Sequence, residues 1–368
     1  MRVGITGANG LLGWHLRCFF AVRPEVTVVP ADRSAFADIA SLRRFVSGCD
    51  TIIHLAGMNR GADDEIIHVN VGLADALVDA CRAENITPHI VFASSTHIFR
   101  NTRYGDAKRQ CSEILRRWSR EEGAVFTNLI LSNIFGENGR PFYNSVISTF
   151  CYQLARDERP QIEVDAAYDY LHCYDVAENL MNILQNKPNH DVFLQGRNMS
   201  VSEILGRLTL FDVNYRGGVI PDCQDRFDLS LFNTYRSHLY PSFYPRLSEI
   251  RSDNRGDLFE VTKSLGGGQS FISTTRPGIT RGNHFHFHKV ERFCVLEGEA
   301  VIQIRRLFDD SITSFAVSGR KPCSIDMPTL HTHSITNAGK HDLITLFWSN
   351  EIFDPSRPDT FVETVVIA

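Results

Sequence analysis

The sequence predicts an α/β fold, a doubly wound parallel sheet, followed by a smaller all-β domain. Three observations predict it. A β-branched run, Met1 to Thr6, leads through Gly7-Ala8-Asn9-Gly10-Leu11-Leu12-Gly13 into the helical pattern Leu11, Leu12, His15, Leu16 and Phe19. Strand and helix patterns then alternate, which implies parallel strands joined by right-handed crossovers. Beyond Pro245 the signals become short strands punctuated by glycines, the pattern of sandwiches and barrels. The expected domains are therefore residues 1–245 and 246–368.

Composition narrows the classes. A chain of 368 residues exceeds one ordinary core and fits two domains. Net charge of -5 with no basic run argues against a nucleic-acid or anionic-membrane surface. The nine cysteines are odd in number and never spaced Cys-x-x-Cys, so neither a disulfide framework nor a thiolate zinc site is expected. No apolar run approaches the roughly 20 residues of a spanning helix. The first apolar stretch is broken by glycines and by Trp14-His15, unlike a signal peptide. A cytoplasmic protein is expected.

In the first domain, the strand, glycine turn and helix aim backbone N–H groups and a helix N-terminus at a pyrophosphate, as in Rossmann-like dinucleotide folds. The spacing is Gly7-x-x-Gly10-x-x-Gly13. Val26 to Val29 is the second strand, whose tip meets an adenosine ribose. Pro30 stands where an acidic residue would signal NAD; Asp32 and Arg33 follow, and Arg33 can hold a 2'-phosphate, which favours NADPH. Thr51 to Leu55 is a strand ending in Ala56-Gly57, Ile66 to Cys81 a helix, and His89 to Ala93 a strand ending at Ser94-Ser95-Thr96. Tyr104 and Lys108 are one turn apart on the next helix. An ammonium beside a phenol favours the phenolate and brings an otherwise weak acid within reach of proton transfer.

These residues, with Leu55-Ala56-Gly57 and Asn70, resemble in order and spacing the extended short-chain dehydrogenase/reductase family. The resemblance implies that Tyr104 is the acid/base, that Lys108 lowers its pKa and holds the nicotinamide ribose, and that Ser95 hydrogen-bonds the reacting oxygen. It further implies that Gly7, Asn9, Gly10, Leu11, Gly13, Arg33, Leu55, Ala56, Gly57 and Asn70 line the cofactor. Sugar-nucleotide dehydratases of this family carry an acidic pair after the catalytic hydroxyl residue; Thr96-His97 stands here, so elimination is not expected. Val125 to Leu131 is a further strand, and Ser132-Asn133-Ile134-Phe135-Gly136 resembles the start of the family's sugar-nucleotide site. Asn144 to Ala155 and Asp175 to Gln185 read as helices, and Asn133 and Asn144 are substrate candidates.

Beyond Pro245, strands are expected at Phe259 to Val261, Ser270 to Thr274, Arg292 to Leu296, Ala300 to Arg305, Ile312 to Val317 and Leu343 to Trp348. On a strand, His284 and His286 share a face, and Glu291 can return from the adjoining strand. Two imidazoles and a carboxylate suit zinc or another borderline divalent ion. The spacing of Gly278, His284, His286, Glu291 and Gly298 resembles the first cupin motif, and Pro328 to Asn337 the second, with His333 as fourth ligand and Leu330 in place of the usual glycine. Arg281-Gly282-Asn283-His284 also resembles metal-free 4-keto-sugar epimerases, in which that histidine is the general base. Arg281 is a further substrate candidate.

The whole chain, including Tyr143 to Tyr152, Asp253-Asn254-Arg255-Gly256 and Phe353-Asp354-Pro355, resembles the bifunctional CapF/WbjC-type enzymes. The resemblance implies a homodimer that epimerises C3 of a UDP-linked 4-keto-6-deoxy-hexosamine in the cupin domain and reduces C4 with NADPH in the first. The alternative is a reductase of another nucleotide 4-keto-sugar whose cupin domain is structural.

Overall fold

Runs of β-branched and aliphatic residues form the strands of the first unit in chain order: β1 (Arg2–Thr6), β2 (Thr27–Ala31), β3 (Thr51–His54), β4 (His89–Ser95), β5 (Phe126–Leu131), β6 (Asn133–Phe135), β7 (Ala167–His172), β8 (Asp191–Leu194) and β9 (Arg197–Ser200). The computed structural model describes residues 1–367. Six strands pair in parallel in the order β2-β1-β3-β4-β5-β8. Strands β3 and β5 are buried at every position, because helices cover both sheet faces and no alternation is needed.

The chain moves from β1 to β2 in one direction and from β1 to β3 in the other. Right-handed crossovers therefore put α1 (Leu11–Ala21) on one face, and α2 (Ile39–Ser47), α3 (Asp63–Glu84) and α4 (Arg103–Glu122) on the other. Leu42, Phe45, Leu77, Cys81, Leu115 and Trp118 from α2 to α4 share one core with Ile52, Ile90 and Phe126. The reversal between β1 and β3 opens a crevice at the carboxyl ends of these strands. Thr6 pairs with Ala31 and His54, so Gly7, Asp32 and Leu55 leave the sheet together.

Helix α5 (Val146–Ala155) follows the sheet, and α6 (Cys173–Asn186) packs against α1. The first unit comprises residues 1–149 and 163–201, the second 150–162 and 202–368. The boundary expected near residue 245 thus falls inside the second unit. The reason is packing: the sequence change at Pro241 and Pro245 marks a turn, whereas α7 (Val201–Arg216) and α8 (Arg226–Leu239) are tied to the β-strands. The Tyr215 hydroxyl donates to Asp326, Asp326 takes the Arg292 guanidinium at 2.6 and 2.8 Å, and Arg236 donates to the Met327 carbonyl at 3.2 Å.

Two five-stranded antiparallel sheets build most of the rest of this unit. One contains Gln269–Thr275, Glu291–Glu297, Cys323–Met327 and Leu343–Ser349; the other contains Thr280–Phe285, Glu299–Arg306, Ile312–Ser318, His331–Asn337 and Phe361–Val362. Phe293, Val295, Ile325 and Phe347 of the first meet Ile302, Ile304 and Ile335 of the second in one core. The strand expected at Phe259 to Val261 instead occupies Gly256–Phe259, pairing with Ile250–Asp253. Among the described residues no helix is long and apolar enough to cross a membrane.

Candidate active site and metal centre

Gly7 adopts φ +69, and a Cβ there would lie 3.0 Å from the Ala56 nitrogen, so the turn after β1 packs directly on the loop after β3. A Cβ on Gly13 would come within 2.3 Å of the Gly7 carbonyl oxygen. Glycine at both positions lets the N-terminus of α1 close on the strand end. Gly10 caps α1 without a side-chain acceptor, which leaves the first-turn N–H groups, including that of Leu11, for an incoming anion. Asn9 is exposed and accepts Arg17 at 2.9 Å. This cradle fits a dinucleotide pyrophosphate.

The Thr6 hydroxyl accepts the N–H groups of Leu55 and Ala56, each at 3.1 Å, and lies 2.8 Å from His54 Nδ1. Burial and the Lys108 charge push the His54 imidazole down to about 3, so it stays neutral. Gly57 faces Asn70, whose Oδ1 would lie 2.4 Å from an added Cβ. Buried Asn70 donates to the carbonyls of Met58 and Ile66 at 2.6 and 2.7 Å; it pins the loop that carries Gly57. At the tip of β2, Asp32 is occupied in capping Ser34 through its backbone N–H at 2.8 Å and its hydroxyl at 2.6 Å, while Arg33 is exposed.

Tyr104 stands in the first turn of α4, whose N-terminus Thr102 caps by accepting the Gly105 N–H at 3.1 Å. A Cβ on Gly105 would sit 2.2 Å from the His97 carbonyl oxygen, so glycine there lets α4 rest on the turn after β4. Lys108 is 4% exposed and donates to the Ala93 carbonyl at 2.8 Å. Its Nζ lies 5.6 Å from the Tyr104 ring centroid and 3.9 Å from the place of a Gly57 Cβ. A buried ammonium has two further donors, which suits the hydroxyls of a ribose. Ser95 ends β4, and its hydroxyl accepts the His97 N–H at 3.3 Å.

His97 was not among the expected site residues. Its ring stands edge-on to Tyr104 with centroids 5.6 Å apart, and its Nδ1 is buried without a hydrogen-bond partner among the described residues. Burial and the Arg100 charge lower its pKa. Its position two residues after Ser95 was the available signal.

Asn133 opens β6 and donates to the Asp169 carbonyl at 3.4 Å; Asn144 is exposed in the turn before α5. A buried ion group, absent from the sequence reasoning, supports this segment. Glu137 lies 3.1 Å from His172 and 3.8 Å from His15 of α1. Burial pushes its carboxyl up, but His172 and His15 outweigh burial and bring it down to about 2.

In the second unit, His284, His286, Glu291 and His333 place one ligand atom each within 4.8 Å of one another. Glu291 belongs to the sheet facing the one that carries His284 and His333, so the cluster bridges both sheets. Its Oε2 lies 3.2, 3.3 and 4.0 Å from Nε2 of His286, His333 and His284. Burial opposes ionisation of Glu291, but the three imidazoles gathered around it hold it well below the usual carboxylate range. Burial also disfavours a charged His286, yet Glu291 brings its pKa above the ordinary value. His286 Nδ1 meets the Asp359 carbonyl at 2.5 Å and His333 Nδ1 the His331 carbonyl at 3.3 Å, which turns both Nε2 atoms towards Glu291. His333 Nε2 is buried with no aligned hydrogen bond. This donor set fits a borderline divalent cation.

Leu330 keeps the turn of the second motif despite replacing glycine: it adopts φ +60, is 2% exposed and donates its N–H to the His286 carbonyl at 2.8 Å. A bulge at Gly282 and Asn283 changes the parity of the first motif. Arg281 pairs with Ile335 and His284 with His333, so the two side chains share a sheet face that regular alternation would deny them. Arg281 is exposed and donates to Thr275 Oγ1 at 2.9 Å and the Thr274 carbonyl at 3.0 Å.

Residues 3–194 match the NAD dependent epimerase/dehydratase family, and residues 251–361 the polysaccharide biosynthesis C-terminal domain. The chain is 31% identical over 370 residues to UDP-2-acetamido-2,6-beta-L-arabino-hexul-4-ose reductase of Pseudomonas aeruginosa, covering 99% of both proteins. The capsular polysaccharide assembling protein CapF of Staphylococcus aureus is 30% identical, with a TM-score of 0.64 over 99% of this chain and all of that one. The UDP-N-acetylglucosamine 4-epimerase of Bacillus cereus shares the fold over 58% of this chain and 85% of its own, at 21% identity and a TM-score of 0.52.

Proposed function

Because the chain belongs to the NAD dependent epimerase/dehydratase family as a CapF/WbjC-type oxidoreductase, we propose that it reduces the C4 ketone of a UDP-2-acetamido-2,6-dideoxy-hex-4-ulose with NADPH. Epimerisation at C3 in the second unit precedes this step and gives a UDP-N-acetyl-6-deoxy-L-talosamine, on the way to UDP-L-FucNAc. The observation that carries the proposal is the Tyr104–Lys108 pair, with its buried ammonium, in a chain similar along 99% of its length to a reductase of such a sugar.

NADPH, when bound, would supply the hydride to C4. Tyr104 supplies the proton to the ketone oxygen, and the Ser95 hydroxyl donates a hydrogen bond to the same oxygen as charge develops there. Lys108 stabilises the phenolate left behind and binds the nicotinamide ribose. The turn from Gly7 to Gly13 holds the pyrophosphate, Arg33 the 2'-phosphate, and Asn133 and Asn144 the sugar nucleotide. In the second unit, His284, His286, Glu291 and His333 would hold a divalent cation such as zinc, which would supply Lewis acidity towards a carbonyl oxygen. Arg281, on the face of His284 and His333, contacts the substrate. The C4 ketone acidifies the C3 proton, and its reduction removes that acidity and fixes the configuration.

The test is incubation with NADPH and a panel of UDP-4-keto-6-deoxy-hexosamines, with product configuration read by NMR. Unchanged ketone in every case would refute the reductase. A second reading, a structural cation without epimerase activity, is favoured by the four protein ligands, which would leave a four-coordinate ion no open position. Without NADPH, the C3 proton should exchange with solvent deuterium and His284→Ala should abolish the exchange; exchange unaffected by H284A would favour the structural ion.

A further inference from the structure

The chain near its end runs along the strand that carries the metal ligands. Phe361 and Val362 pair with Phe285 and His284. Asn283 grips the same segment, its carbonyl accepting the Glu363 N–H at 3.0 Å and its Oδ1 the Val365 N–H at 3.1 Å. Just before these residues stands Asp359 at φ +38, a left-handed backbone that Asp and Asn tolerate better than other side chains.

Asp359 holds His286 in two ways. Its carboxylate accepts the N–H groups of Phe287 at 3.0 Å, His288 at 2.9 Å and Lys289 at 2.8 Å, the turn that leaves the ligand. Its carbonyl accepts His286 Nδ1 at 2.5 Å, 73 residues away in sequence. The Lys289 ammonium returns to the Pro358 carbonyl at 2.7 Å. A carboxylate closing three successive N–H groups is a charge-assisted clamp on the backbone. The carbonyl holds a proton on Nδ1, so Nε2, which faces Glu291, is the nitrogen that would give up its proton to take a cation.

Resting on the reading that the His–Glu cluster binds a divalent ion, we propose that Asp359 is a positioning residue of the metal centre. Its carboxylate sets the backbone after His286 and its carbonyl sets the ring, so metal affinity and ordering of Pro358 to Val365 are coupled. Linkage makes the coupling reciprocal: whatever the ordered segment adds to metal binding, bound metal adds to its order.

The test measures zinc affinity by chelator competition, and the ligand-field spectrum of the cobalt(II)-loaded full-length protein, for the unsubstituted chain, Asp359→Ala, Asp359→Asn and Asn350→Ala. Asn350 is the control, since its Oδ1 accepts the Val290 N–H at 2.8 Å just beyond the same turn, a backbone bond of the same kind that does not involve the His286 ring. D359A should lose about 10–100-fold in zinc affinity with an altered cobalt spectrum, and D359N, which keeps one acceptor oxygen, about 3–10-fold. N350A should change neither. Zinc should also slow proteolysis of the 358–365 segment in the unsubstituted protein and not in D359A. Unchanged affinity and spectrum in D359A, or an equal loss in N350A, overturns the proposal. If D359A does not fold, D359N decides: an affinity equal to the unsubstituted value overturns it. Failure of the unsubstituted protein to bind zinc would instead sink the metal reading, and this proposal with it.

Discussion

Replacing Arg33 by alanine tests the choice of cofactor most directly. The tip of β2 offers two charged groups of opposite sign, and the structure separates their roles. Asp32 spends its carboxylate on the backbone and hydroxyl of Ser34, bonds that lower its pKa and keep it ionised. It is thereby drawn away from a ribose 2'-hydroxyl, the bond that would favour NAD. Arg33 is exposed, and on the proposed function it meets the 2'-phosphate. A hydrogen bond to a charged group contributes about 1.5–3 kcal/mol, and solvent screening at an exposed site reduces this to about 1–2 kcal/mol. At about 1.4 kcal/mol per tenfold, R33A should weaken NADPH binding roughly 5–30-fold and leave NADH almost unchanged. Titration of both cofactors into both proteins gives the ratio, and added salt should shrink the NADPH advantage of the unsubstituted chain. An equal loss for NADPH and NADH, or none for either, would show that Arg33 does not read the phosphate.

Tyr104→Phe should lower kcat about 10²–10⁴-fold while NADPH binding persists, because only the transferred proton is lost; stopped-flow oxidation of NADPH checks it, and full activity would remove Tyr104 from the mechanism. Asp326→Ala should destabilise the second unit by about 3–5 kcal/mol, since it strands the Arg292 guanidinium, 3% exposed, in the interior; denaturant unfolding measures it, and a loss below about 1 kcal/mol would mean that water reaches the site. Glu137 has a depressed folded pKa of about 2 against an ordinary 4.5, so its contribution is complete above about pH 4.5 and is lost as pH falls towards 2. That contribution is about 3 kcal/mol. Glu137→Gln should flatten the stability profile between those pH values, and parallel profiles for the two proteins would contradict the assignment.

The doubly wound sheet was legible because both of its signals are local: apolar runs of strand length, and a glycine turn whose spacing follows from the approach of α1 to the Gly7 carbonyl. Tyr104 with Lys108, and His284, His286 and Glu291, were legible for the same reason, each being a short spacing in the chain; His333 came only from the resemblance of a second, distant motif. The boundary near residue 245 rested on prolines and composition. Neither reports that Tyr215 and Arg236, on helices that look no different from those of the first unit, find Asp326 and the Met327 carbonyl on β-strands about a hundred residues later. The bulge at Gly282 and Asn283 was equally hidden, since strict alternation puts Arg281 and His284 on opposite faces.

What escaped the sequence in both sites has one physical origin. Lys108 is held by the Ala93 carbonyl, His286 by that of Asp359 and His333 by that of His331. Every residue carries such an acceptor, so side-chain identity says nothing about which carbonyl will be used. The choice is made by topology: α4 crosses the end of β4, and the segment at 359 lies against the turn after 286. A site whose reactive groups are set by main-chain acceptors tolerates substitution of the residue supplying the carbonyl, provided its backbone stays in place. Asp359 departs from that rule because its own side chain fixes the backbone that presents its carbonyl, which makes it more sensitive to substitution than Ala93.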